Sequence, residues 1–288
     1  MMGQSSESGA LIFRGPCLLL IHFHPLTVIH NLNPCDRMDL PGFPLFSLFS
    51  QIDHFLLALA RKETLVLMTS PDQCVLLFSG GRDSTVAALR LSEQFKRLVL
   101  ITVTSAHMDG IERVRSRVLE LKKILRAGSE WMLLGEPAPF SDARVGEPSG
   151  CISCHFGYFL IASAIADQMR CGSIACGFVA YQEKWVEQTS YAIQRLEGLL
   201  AQHGKRLILP VLDIQDRDKA EAELRLRGLS TESLELKCLR QQIDPGLTGS
   251  ALKRVVDRWI DNLRAALERK QIPAPPLERV IMSGGEDI

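Results

Sequence analysis

The chain has 288 residues, 46% of them hydrophobic, enough for one sizeable core or two small ones. Lys plus Arg and Asp plus Glu each number 33, so the formal net charge is zero; this excludes a generally basic nucleic-acid-coating protein and leaves any RNA contact to a local patch. Aromatic residues make up only 6%, which argues against a base-stacking platform over a large surface.

In chain order, the first apolar stretch is "ALIFRGPCLLLIHFHPLTVIHNL". Arg14, Pro16, three histidines and Pro25 interrupt it, so it does not read as a membrane span, which wants about 20 clean apolar residues. It also lacks the basic start and small-residue cleavage site of an export signal. Residues 1–67 show no dependable period. They read as an extension, either an over-long start ahead of Met68 or a subdomain whose one plausible helix is "FSLFSQIDHFLLALARK". With no export signal, the eight cysteines point to a cytoplasmic protein rather than a secreted disulfide scaffold.

From Cys74 the pattern is regular. Apolar or β-branched runs at 74–79, 97–104, 130–135, 172–179 and 205–212 predict five strands. Between and after them, segments 84–95, 110–125, 153–169, 187–203 and 216–228 predict helices, the last stopped by Gly228. A final helix is predicted over 247–270, with Leu252, Val255, Val256, Trp259, Leu263 and Leu267 as its apolar stripe. The tail 271–288 reads as irregular. Strands alternating with helices predict an α/β, doubly wound parallel sheet, with the C-terminal helix as an appendage. Ligands in such sheets sit beyond the carboxyl ends of the strands, here 79–85, 105–110, 176–189 and 210–219.

The first of these turns is "SGGRDS", Ser79–Ser84. Gly80 and Gly81 permit a sharp turn and close approach of a ligand to the main chain. The helix that follows offers free amides and the positive end of its dipole. Ser79, Ser84 and Thr85 add hydroxyl donors, a set that suits a phosphate chain. Asp83 would repel phosphate unless it holds Mg²⁺ bridging the phosphate oxygens. No lysine follows the glycines, so this is not the G-x-x-x-x-G-K-[ST] loop.

"SGGRDS" resembles the S-G-G-x-D-S pyrophosphate loop of the N-type ATP pyrophosphatase (PP-loop, adenine nucleotide alpha-hydrolase-like) superfamily. The resemblance implies a Rossmann-like fold and an enzyme that splits ATP between its α and β phosphates while a substrate oxygen becomes adenylated. It assigns Ser79, Gly80, Gly81, Arg82, Asp83, Ser84 and Thr85 to ATP–Mg²⁺. Further along, Cys151-x-x-Cys154 opens a helix, a strand ends in Cys176-Gly177-Phe178, and Glu187-Gln188-Thr189 follows. This order is similar to that of iron–sulfur tRNA 2-thiolation enzymes, with Phe178 where a histidine is usual. That likeness spans roughly residues 74–240, adds Gly177 to the nucleotide site, and implies Cys151, Cys154 and Cys238 as ligands of a [4Fe-4S] cluster with one open iron. Two rival readings stay open: a persulfide-carrying thiol with a resolving partner, or Zn²⁺ with His155 or Cys171 as fourth ligand. Cys171 and Cys176 otherwise read as small buried hydrophobes.

The segment "LILPVLDIQDRDKAEAELRLRGLSTESLELKC" resembles 7-cyano-7-deazaguanine synthase at Pro210, Lys219, Ala220, Glu221 and Cys238. No cysteine follows Cys238, so the zinc site of that family cannot assemble in its usual way. Lys219 reads either as a reach toward the phosphates or as a solvated helix lysine among Asp216, Arg217 and Asp218. His107 and Asp109 follow the second strand, where the resemblance places adenosine; His107 reads also as a satisfied surface histidine. The expected domains are 1–67, a catalytic domain at 68–240, and 241–288. The expected function is ATP-dependent adenylation of a tRNA base for sulfur transfer. The alternatives are a ligase acting on a small carboxylate and a non-catalytic ATP- or cluster-binding partner protein. Expected partners are tRNA or a small nucleobase-like substrate, a sulfur-donor protein and a second copy of the chain, with no membrane.

Overall fold

The computed structural model describes residues 11–13, 18–23, 26–31, 70, 72–136, 152–239, 247–269 and 274–284. The chain divides into two units, Met1–Leu59 and Ala60–Ile288. In the first unit, β1 (Leu11–Phe13), β2 (Leu18–Phe23) and β3 (Leu26–Asn31) form a three-stranded antiparallel sheet. Pro16 and Pro25 fall in sequence between these runs, as strand-ending residues do. The helix expected at 46–62 and the start at Met68 lie outside the described residues.

The second unit is built on β4 (Gln73–Leu77), β5 (Arg97–Thr104), β7 (Glu130–Gly135), β8 (Ser173–Cys176) and β9 (Arg206–Ile208). A short β6 (Met108–Asp109) stands apart from them. All five predicted strands are present and parallel, in the order β7-β5-β4-β8-β9. The register sets Val75 opposite both Val99 and Ile174. The chain runs outward from β4 through β5 to β7, then returns to the other side of β4 for β8 and β9. The crevice at the carboxyl end of β4 is therefore the point where strand order reverses, which is where open α/β sheets bind ligands.

Side chains alternate across the sheet with period two. Val75, Val99, Ile101, Val103 and Ile174 face α3 (Ile152–Gln168), α4 (Ser190–Gln202) and α6 (Gly249–Glu268). Cys74, Leu76, Leu98 and Leu100 face α1 (Arg82–Gln94), α2 (Ile111–Lys122) and α5 (Arg217–Leu226). Both faces are covered, which is why the strands read as nearly continuous apolar runs. In α6, Val256, Trp259, Ile260 and Leu263 are buried against the first of these layers.

The tail differs from its expected irregularity. Residues Glu278–Ile281 form β11, antiparallel to β7 and pairing Glu278 with Leu133 and Ile281 with Glu130. The reason is partly electrostatic. The fully buried Glu130 carboxylate is held by Arg97 at 2.5 Å and by Arg279 of β11. A lone buried charge is costly, so the strand that carries its second partner is drawn onto the edge. No described helix is long and apolar enough to cross a membrane.

Candidate functional site

At the carboxyl end of β4 the chain turns through Ser79, Gly80 and Gly81 into α1. Gly80 has φ of +81°, a conformation that L side chains resist. A Cβ there would also meet the Leu234 carbonyl oxygen at 2.7 Å. One on Gly81 would fall 2.5 Å from Oε2 of Glu235. The glycines thus allow residues 229–239 to lie directly over the turn. Three arginines fasten that strap by its carbonyls: Arg82 Nε to Thr231 (2.6 Å), Arg117 to Glu232 (2.7 Å) and Arg113 to Glu235 (2.6 Å). Arg82, the variable position of the loop, also pairs with Glu221 at 3.1 Å.

Within the loop, Ser79 and Ser84 hydroxyls are 3.1 Å apart, and Ser79 Oγ accepts from the Gly81 amide at 3.2 Å. Thr85 donates to the Gly81 carbonyl at 2.6 Å and is fully buried, so its hydroxyl serves the helix start. Gly177, after β8, packs so closely that a Cβ would lie 2.9 Å from the Ser84 amide. Its role in the structure is to let the first turn of α1 approach β8.

Asp83 lies in the first turn of α1. Its carboxylate accepts from the Tyr181 hydroxyl at 2.7 and 2.8 Å and from Gln182 Nε2 at 3.3 Å. Gln188 extends the chain, donating to Gln182 Oε1 at 2.7 Å and accepting from the Val179 amide. Burial pushes the Asp83 carboxyl above the usual carboxylate range; the Tyr181 bond opposes this and the nearby Glu235 charge adds to it. Burial and the bond to Asp83 raise the Tyr181 phenol as well.

Asp83, Gln182 and Gln188 border a cavity of about 380 Å³. Ser79, Gly81, Asp83 and Ser84 of the loop line it, as do Ile101, Thr102 and Met108, and His155, Tyr158, Phe178, Trp185 and Glu187. Cys154 and Cys238 also line it. Cys154 arrives on the first turns of α3. Cys238 arrives by a two-residue ladder in which β10 (Lys237–Cys238) runs antiparallel to β6, setting Cys238 opposite Met108. Cys151 lies outside the described residues. Among the described residues, no three His, Cys, Asp or Glu side chains converge as a metal site.

The fourth-ligand role weighed for Cys171 is not met. Cys171 precedes β8, at the amino end of the sheet, and its thiol donates to the carbonyls of Gln73 (3.1 Å) and Ser173 (3.2 Å). Four residues of strand, roughly 13 Å, separate that end from the cavity. His155 does reach the cavity, but its Nε2 lies 3.3 Å from Glu187 Oε1. Cys176, read from sequence as a small hydrophobe, lines the cavity wall; burial pushes its thiol up to about 12. Lys219 is exposed, 3.7 Å from Asp216, and does not line the cavity. His107 is buried, with Ser105 Oγ 2.7 Å from its Nδ1. Asp109 is exposed.

The expected crevice segment 176–189 contains Tyr181, Gln182 and Trp185, though no motif singles them out; Glu235 lies outside every expected segment. Glu235 carried no signal, because its place depends on how the strap crosses the loop.

No family model and no curated protein matches the chain. Solved structures do. A 4-thiouridine synthetase in complex with RNA and bound ATP superposes with a TM-score of 0.54 at 16% identity, over 74% of this chain and 55% of that one. The match thus spans about half the length of the synthetase. An NMN synthetase from Francisella tularensis matches at a TM-score of 0.43 and 12% identity, over 75% of this chain and 97% of that chain. The U34-tRNA thiolase NcsA from Methanococcus maripaludis, with its [4Fe-4S] cluster, matches at 0.38 and 18%, over 75% of this chain and 78% of that one. The synthetase match fixes the fold alone, a mostly parallel α/β sheet with helices.

Proposed function

We propose that the chain binds Mg–ATP at residues 79–85 and transfers AMP to a substrate oxygen with release of pyrophosphate. The observation that carries this reading is the placement of Ser79–Ser84. The loop stands at the carboxyl end of the central strand, opens into α1, and borders a cavity shared with Cys154 and Cys238. The substrate oxygen bonds to the α phosphorus, the bond from that phosphorus to the bridging oxygen breaks, and pyrophosphate leaves with the electron pair. First-turn amides of α1 and the hydroxyls of Ser79 and Ser84 face the charge that develops on the leaving group. The carboxylates of Asp83 and Glu235, hard oxygen donors beside the loop, suit Mg²⁺, which would neutralise that charge.

The finer reading is activation of a tRNA base for sulfur transfer. It is supported by two thiols lining the same cavity as the loop, and by the RNA and ATP bound to the synthetase of like fold. Cys154 and Cys238, with Cys151, are the residues that would hold a [4Fe-4S] cluster, whose chemistry would be delivery of sulfide. Without a cluster, the same thiols would carry and resolve a persulfide. The expected setting is cytoplasmic, with a sulfur-donor protein and a second copy of the chain as partners.

The test incubates the protein with radiolabelled ATP, Mg²⁺ and bulk tRNA and follows AMP and pyrophosphate. Asp83→Asn should lower turnover more than about 100-fold, since the charge holding Mg²⁺ is gone while the shape stays. Release by the variant at the parental rate overturns the role of Asp83; no release by the parent protein overturns the ATP reading. With sulfide added, thiolated tRNA is detected by its retardation on a mercury gel. Cys238→Ala should abolish retardation and spare AMP formation.

A further inference from the structure

The phosphate loop accounts for one wall of the cavity. Another part of the lining has a different chemistry, and it includes Glu187. This residue is 4% exposed, yet it lines the cavity. Among the described residues its carboxylate has one polar partner, His155 Nε2 at 3.3 Å. A carboxylate carries about four acceptor sites, so one contact leaves this one with acceptor capacity for a donor in the cavity. Around it stand flat side chains. The His155 ring lies 5.6 Å from Tyr158 and 6.1 Å from Phe178, both tilted, and Trp185 completes the wall. Such a wall suits a planar heterocycle. The carboxylate selects one that presents N–H donors and disfavours an anion, so the phosphates stay at the loop end.

We propose that this end of the cavity is the acceptor-substrate subsite, and that Glu187 is its specificity residue. It would accept a hydrogen bond from the ring N–H of a lactam nucleobase, the group next to the carbonyl whose oxygen is adenylated. Uracil and guanine carry that N–H beside a carbonyl, whereas adenine does not. The inference rests on the ATP reading above and adds the substrate class and the residue that reads it.

Trp185 reports on the subsite, because Trp131 and Trp259 are buried in the core. Tryptophan fluorescence is followed while uridine, guanosine, N3-methyluridine, N1-methylguanosine or adenosine is added, with saturating Mg²⁺ and the α,β-methylene analogue of ATP. Binding of the analogue is read separately by calorimetry. The expected result is saturable quenching by uridine or guanosine, at least tenfold weaker with the N-methyl form, and absent in Trp185→Phe. The contact to a charged acceptor supports that factor. Glu187→Gln should weaken lactam binding at least tenfold while affinity for the analogue stays. If that variant fails to fold, the N-methyl nucleosides make the same test on the parent protein. Equal quenching by adenosine, indifference to N-methylation, or no quenching by any nucleoside while the analogue binds overturns this proposal and leaves the ATP reading standing. Failure of the analogue to bind overturns both.

Discussion

At the scale of single residues, Asp83 concentrates the tension of the site. It is a carboxylate taken partly out of water, next to a second carboxylate, and steadied by a phenol and an amide. Because its folded pKa lies above the unfolded value, its favourable contribution is complete below the unfolded pKa and is lost as pH rises through the folded one. Metal-free protein, melted in a chelator across a pH series, should therefore lose stability over that window. Asp83→Asn should flatten this slope and melt higher than the parent at neutral pH, while turnover disappears. A parental slope in the variant assigns the titration to another group. Gly177 gives a second residue-scale prediction. Gly177→Ala sets a methyl group against the Ser84 amide at 2.9 Å, an overpacking contact worth about 1–3 kcal/mol. Thermal melts should show that loss, and ATP affinity should fall with it if the displaced turn holds the phosphates as proposed. Unchanged affinity would mean the loop absorbs the methyl group.

At the scale of elements, β11 is the piece that the chain pattern concealed. "ERVI" is four residues long and alternates partly buried with exposed positions, too little for a periodicity argument. Its place is set by β7, whose free edge needs a partner, and by Glu130, whose buried charge needs a second cation. Arg279→Ala should cost about 1 kcal/mol, because Arg97 still pairs with Glu130 and both arginines are partly exposed. Replacing Arg97 and Arg279 together should cost about 3–5 kcal/mol, since Glu130 is then a buried carboxylate with no cation. Denaturant midpoints of the two single variants and the double variant measure this directly. Simple additivity would show that the two arginines do not share one charge.

At the scale of the whole molecule, the sheet that carries the site is complete within the second unit. Its earliest described pairing is the bridge between Ser70 and Cys171. A protein beginning at Met68 retains that bridge and every strand of the six-stranded sheet. It should melt cooperatively and bind the ATP analogue with parental affinity, as circular dichroism and calorimetry will test. An insoluble or molten product would make residues 1–67 part of the folding unit.

The amino-acid sequence by itself determined the alternation of five parallel strands with helices and the loop from Ser79 to Ser84. Both are local: buried parallel strands must be apolar throughout, and a turn that receives a ligand on its backbone must be glycine-rich and end at a helix start. It also marked Cys151, Cys154 and Cys238 as one set, of which Cys154 and Cys238 lie 84 residues apart. Only the tertiary structure decided that Cys154 and Cys238 share a cavity. That meeting depends on a two-residue ladder, β6 with β10, and on three arginines gripping backbone carbonyls, interactions that leave no side-chain pattern. Likewise, nothing local distinguishes Cys176 from Cys171. The direction of one strand places the first at the ligand end and the second at the other, and gives Tyr181 to Asp83 and His155 to Glu187.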